Sequence, residues 1–196
     1  MSTRQTERSQ ATKTELLRVA RELFGSRGFE GASIEDVADA AGMTKGAVYH
    51  HFASKRDLFQ AIVEQLEQEI CENVIVAAAG AGDDVLDGMR RGVRAFLDSG
   101  ADGSYRRIVL IEGPSVLGWE TWREIDERYG FSIVKGSLEA AMGAGVLKQQ
   151  PLDPIAHLFL ASLAEAALQI ARADDQDAAR EEMFEALWTI IESLRT

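Results

Sequence analysis

The chain has 196 residues, with 21 Lys or Arg against 32 Asp or Glu (net charge −11), three prolines and one cysteine. That length can bury a substantial core in one large or two small domains, and few prolines without any run of alternating β-branched residues argue for an all-α protein. Cys71, being alone, excludes an intrachain disulfide framework and fits a reducing cytoplasm, and no segment reaches the roughly 18–20 uncharged apolar residues of a membrane span.

In chain order, the polar start MSTRQTERSQATK lacks the apolar stretch of a signal peptide, and residues 1–10 read as a flexible segment. A first helix is predicted from Thr12 to Phe24, where Leu16, Ala20, Leu23 and Phe24 recur at helical spacing. Gly25 and Gly28 are expected to end it, with Phe29 plugging a small core. Residues 33–52, SIEDVADAAGMTKGAVYHHF, then read as two short helices joined by a glycine turn. Ser33 with Asp36 forms a capping-box pattern, and Ile34, Val37, Ala38 and Ala41 share one face. Gly42 supplies the turn, Thr44 caps the second helix, and Val48 and Phe52 face inward. Ala38 is small where two near-perpendicular helices cross, and such a pair offers its second helix to a major groove about 12 Å wide. The pattern is a helix-turn-helix.

Ser54 and Asp57 repeat the cap and open a long helix striped by Leu58, Ile62, Leu66 and Ile70, ending in AAAGAG at 77–82. This helix links two halves, 11–56 and 57–196. Val85, Leu86, Met89, Val93, Phe96 and Leu97 mark the next helix, and a short one is predicted from Tyr105 to Ile111, stopping at Gly113-Pro114. Trp119, Trp122, Ile125, Tyr129, Val134, Leu138 and Met142 suggest another, interrupted near Gly130 or Gly136. Asp153 and Pro154 suit the N-cap and first turn of a penultimate helix. That helix, PIAHLFLASLAEAALQIARA, is apolar around much of its circumference, and the last carries Met183, Leu187, Ile190 or Ile191, and Leu194. A helix apolar on more than one face needs more than one partner. The last pair is therefore expected to meet its copies in a second subunit through Leu158, Ser162, Glu165, Ala166, Met183, Leu187 and Ile191.

Charge is divided along the chain. Residues 1–56 hold nine basic and seven acidic residues (+2), which leaves 12 basic and 25 acidic (−13) for the remainder. The acidic part is the part expected to face away from a polyanion.

Ala11 to Ile70, and most closely GASIEDVADAAGMTKGAVYHHFASKRDLFQAI, resembles the DNA-binding domain of TetR/AcrR transcriptional regulators. GPSVLGWETWREID is similar to actinobacterial-type members of that family. The resemblance implies a homodimeric cytoplasmic repressor: an N-terminal three-helix helix-turn-helix domain, and a C-terminal helical domain for ligand binding and dimerisation. Operator DNA and a small-molecule effector are the implied partners, with no cofactor. It matches Ser33 to a phosphate-bonding cap, and Thr44, Lys45, Gly46 and Ala47 to the start of the recognition helix. Tyr49 and His50 match its exposed face, and Lys55 a phosphate-binding lysine.

Chemistry divides these residues. The hydroxyls of Ser33, Thr44 and Tyr49 and the ammonium of Lys55 suit phosphate oxygens, which position without specifying sequence. Lys45 suits guanine O6 or N7, while Gly46 and Ala47 allow close approach. Met89, Phe96, Tyr105, Trp119, Trp122 and Met142 are the composition of a largely apolar effector pocket, and Glu112 or Glu165 could receive a cation. His51 is expected to pack within the helix pair and His157 to be a satisfied core or interface histidine. With no HExxH, ExxH or CxxC, a metal site lacks ligands. With no GxSxG, Walker A or GxGxxG motif, an enzyme lacks a catalytic set. The competing reading is a helical protein-binding adaptor indifferent to DNA.

Overall fold

The computed structural model describes residues 3–100 and 102–196. Over them it is all-α, with nine helices: α1 (Thr3–Gly31), α2 (Ile34–Ala40), α3 (Lys45–His51), α4 (Lys55–Ala79), α5 (Val85–Gly100), α6 (103–117), α7 (119–143), α8 (Leu152–Ile170) and α9 (Gln176–Ser193). The one β pairing among the described residues is a bridge from Leu147 to Arg195, which ties the α7–α8 loop to the C-terminus. None of the described helices is long and apolar enough to cross a membrane.

The first helix departs from expectation at both ends. Residues 3–10 continue it instead of forming a flexible segment; residues 1 and 2 lie outside the described residues. Neither Gly nor Pro interrupts this stretch, and Thr12 and Thr14 bond back to the carbonyls of Arg8 and Gln10. Gly25 does not stop the helix either. It lets α6 approach, since a Cβ there would lie 3.0 Å from Ser104 Oγ. The break comes at Gly28 (φ 78°), where the left-handed backbone favours glycine and a Cβ would meet Glu112 Oε1 at 2.6 Å.

Around α1, the first core gathers Leu16, Phe24, Val37, Ala38, Val48, Leu58, Phe59 and Ile62, all at most 2% exposed. Phe24, Phe29 and Phe59 meet edge-on or tilted at 5.2–5.9 Å between centroids. This core does not stop at α4: it runs on to Tyr105, Ile108, Val109 and Leu117 of α6. A second core, of Leu97, Leu138, Phe184, Leu187 and Ile191 among others, holds α5, α7, α8 and α9 together.

Two helices change winding where the sequence suggested breaks. α6 does not end at Gly113-Pro114; it is π-wound over Arg106–Glu112 and resumes α-winding at Gly113–Leu117. A proline has no N–H and its ring crowds the carbonyl four residues back, so a helix can continue through it only where the winding alters. Trp122 Nε1–H donates to Val109 O at 3.0 Å, satisfying a carbonyl of this widened stretch. Gly113 makes room for that indole, because a Cβ would lie 2.8 Å from Trp122 Cδ1. α7 likewise stays continuous, with a π-wound stretch at Glu127–Phe131 containing Gly130. α8 begins at Leu152, so Asp153 lies inside the first turn and not at the cap, held by Lys135 at 2.7 Å.

Candidate functional site

Two surfaces carry functional chemistry. The first is built by α2 and α3. Ser33 caps α2, its Oγ accepting from Asp36 N–H at 3.0 Å while Asp36 Oδ2 accepts from Ser33 N–H at 2.7 Å. These bonds hold the Asp36 carboxyl below its usual range. The helix closes in a Schellman turn: Met43 N–H donates to Ala38 O at 2.9 Å and Gly42 N–H to Asp39 O at 3.1 Å. Gly42 has φ 65°, the left-handed geometry that turn needs. Thr44 then caps α3, its Oγ1 accepting from Ala47 N–H at 3.2 Å.

The geometry leaves Thr44, Lys45, Gly46, Tyr49 and His50 exposed and Ala47 half-buried, while Val48 and Phe52 anchor the helix beneath. Lys45 Nζ is paired with Glu35 and sits 5.8 Å over the Tyr49 ring. Hydrogen bonding between the pair lowers the Glu35 pKa and raises that of Lys45. Lys55, half-buried at the start of α4, holds its Nζ 4.2 Å over the Phe29 ring. His51 packs against His50 at 5.2 Å, and burial first, then His50 and Lys13, lower its pKa.

The second surface is internal. A cavity of about 470 Å³ is walled by α4, α5, α7 and α8, with α6 contributing Tyr105 and Leu110. Met89, Phe96, Tyr105, Trp119 and Trp122 line it. Met142 and Glu112 do not. Met142 is buried in the second core. Glu112 points the other way, accepting from Phe29 N–H at 2.7 Å and from Arg107 Nε at 3.1 Å, while Arg107 also donates to Ser26 O at 2.8 Å. This is a seam between α6 and the kink of α1, a structural use for residues expected to bind ligand. Arg56 Nε adds a bond to Val116 O at 3.2 Å.

The cavity also contains polar residues that periodicity alone did not single out. Glu67, Arg123, Asp126 and His157 all line it. Burial, then the neighbouring Asp126, push Glu67 up to about 8; the Tyr105 hydroxyl at 3.3 Å opposes this weakly. Burial also raises Asp126, against the pull of Arg123 at 2.9 Å. Arg123, which can only donate, also bonds His157 Nδ1 at 2.5 Å, and His157 stacks on Phe131 at 4.2 Å. Cys71, its thiol pushed up to about 12 by burial, is no nucleophile. A sequence signal for Glu67 did exist: Val63, Ile70 and Cys71, at i−4, i+3 and i+4, are all apolar, so the glutamate lies on a buried face.

The residues expected at a subunit interface divide. Ala166, Leu187 and Ile191 are buried within the chain, at most 4% exposed, because α8 and α9 pack through them against each other and α5; they are not available to a partner. Leu158 is 66% exposed, Glu165 exposed, and Ser162 and Met183 partly so.

Comparison with known proteins agrees with this division. Residues 16–62 match the family described as bacterial regulatory proteins, tetR family, and residues 86–194 match the tetracyclin repressor-like C-terminal domain. The HTH-type transcriptional regulator AcrR of Shigella flexneri is 34% identical over 110 residues, 56% of this chain and 51% of AcrR. UidR of Escherichia coli K12 is 43% identical over 65 residues, 33% of each chain, so the chain spans between a third and a half of these relatives. A solved TetR-family regulator from Pectobacterium atrosepticum superposes with TM-score 0.79 at 30% identity over 97% of both chains. RolR, solved in complex with resorcinol, shares the fold at TM-score 0.69 and 17% identity, over 95% of this chain and 90% of RolR.

Proposed function

The chain belongs to the TetR family of transcriptional regulators, with a DNA-binding helix-turn-helix, and on that premise we propose that it is a homodimeric repressor released from a palindromic operator by a small molecule. The observation that carries this reading is the continuity of α4. One helix of 25 residues starts at the Ser54 cap beneath α3 and ends as the cavity wall, contributing Glu67, Ile70, Cys71 and Val74. A ligand that displaces the wall displaces the helix-turn-helix with it. We assign the DNA contact to residues 11–56 and the effector and subunit contacts to 57–196.

In this reading Ser33, Thr44, Tyr49 and Lys55 meet phosphate, and Lys45 exchanges Glu35 for a guanine edge. Both partners of that pair are more than half exposed, so the exchange is inexpensive. His50 meets the groove beside them. The exposed Leu158, with Ser162, Glu165 and Met183, forms the part of the α8–α9 face left for a second subunit. RolR, bound to resorcinol in the same fold, supports an effector in the body. No catalytic step is assigned to the chain.

A gel shift tests the proposal, using DNA from upstream of the protein's own gene at two salt concentrations with nonspecific competitor. A competitor-resistant, salt-weakened complex supports it. If neither that DNA nor selection from random sequence yields a palindrome, the reading fails. A monomeric mass in light scattering at micromolar concentration would remove the dimer.

A further inference from the structure

The cavity contains a carboxyl group that the chain leaves without a cation. Glu67 is 4% exposed, and its only hydrogen bond among the described residues is from Tyr105 to Oε1. Oε2 converges with Asp126 Oδ1 on Gly130, lying 4.0 and 3.5 Å from where a Cβ would stand. The charged and titratable groups around it are few. From α7, Arg123 is committed to Asp126 at 2.9 Å, Glu127 at 3.4 Å and His157 of α8 at 2.5 Å. From α4 and α8 come Cys71 and Glu165, and from α6 Tyr105. The α5 wall, with Met89, Val93 and Phe96, brings no ionisable side chain.

We propose that the effector is a lipophilic organic monocation, its charge seated between Glu67 and Asp126 and its apolar body against Phe96, Trp119 and Trp122. This rests on the effector reading of the cavity and names the ligand's chemistry. An anion would meet two buried carboxyl groups with the one guanidinium already shared. A second positive charge would find no second free carboxylate, since Asp126 has Arg123. A neutral ligand would leave the buried Glu67 uncompensated when ionised, which is costly in an apolar setting. The two indoles, 5.2 Å apart, offer π faces that favour a cation, and the cavity's size suits a drug-sized molecule. The acidic body, at −13, draws cations towards it.

The seat imposes a proton exchange. Ligand-free Glu67 keeps its proton up to about pH 8, and a bound cation replaces that proton, one charge for one. Affinity therefore rises about tenfold per pH unit below that value and levels above it.

The full-length protein is titrated by tryptophan fluorescence and calorimetry with three probes of similar shape: tetraphenylphosphonium, tetraphenylborate and triphenylmethanol. The phosphonium should bind with the stated pH profile and release a proton, and the borate should not bind. In Glu67→Gln, checked for fold by circular dichroism, the profile should be flat and affinity at high pH at least about tenfold lower. Asp126→Asn should weaken binding while keeping the slope. Absent or pH-independent phosphonium binding overturns the proposal. If the borate or the alcohol instead binds at the tryptophans and releases DNA, the effector reading stands and the cation does not. If none of the three changes the fluorescence, both fall.

Discussion

Lys45 and Glu67 are each the central charged group of a ligand-facing surface, yet opposite rules hold them. Lys45 stands on the first turn of α3, exposed, with a solvent-facing partner in Glu35 and an aromatic face beneath it. Its environment is nearly local: the Thr44 cap, the Gly42 turn and a glutamate ten residues earlier. Glu67 is buried among residues from four helices, and what sets its protonation is distance from water. The first arrangement keeps a cation ready to change partners at little expense. The second holds a group in a state it would not keep in water, so that a ligand can reverse it. Reading DNA needs the former, and sensing a small molecule is served by the latter.

Substitutions can break or sharpen that contrast. The largest effect is expected from Phe59→Ala, which empties the centre of the aromatic cluster beneath α1–α3. The loss is about 3–5 kcal/mol, and the thermal melt should show whether the first core and the body unfold together, as the continuity of that core into α6 requires. Next comes pH. Glu67 binds its proton more tightly folded than unfolded, so the stability this gives is present below about pH 4.5 and is lost as pH rises to about 8. Glu67→Gln lacks this dependence. Its Tm relative to the natural chain should rise across the window, on the order of several degrees, and a constant difference would contradict the buried state of the carboxyl.

Smaller effects belong to the exposed surface. Lys45→Ala should cost about 1–3 kcal/mol at the base it reads and relax sequence preference, whereas Lys55→Ala should weaken all sequences alike. Competition gel shifts with point-mutated operators separate the two, and a selective loss in Lys55→Ala would contradict a phosphate contact. The smallest expected change is a gain. Glu35→Gln frees Lys45 and removes a carboxylate near phosphate, and should tighten DNA binding roughly two- to fivefold at low salt, fading as salt rises. Unchanged binding would mean that Lys45 does not leave Glu35 for DNA.

The sequence by itself determined what short-range physics controls. Ser33 and Asp36, Gly42, Thr44, Ser54 and Asp57 carry their caps and turns in their own spacing, so the helix pair and the start of α4 were legible residue by residue. Where the chain's course depended on distant contacts, the reading drifted. Gly25 and Gly113 looked like helix stops but are clearances for Ser104 and Trp122; Asp153 looked like a cap but binds Lys135. Apolar stripes showed that Leu187 and Ile191 are buried without showing against what, and the answer is their own chain. The cavity was decided only by tertiary structure. Its aromatic walls recur at helical spacing as any core would, and Glu67, Arg123, Asp126 and His157 lie up to 90 positions apart in the chain. Burial and pairing set what those four groups do, and both are properties of where helices cross.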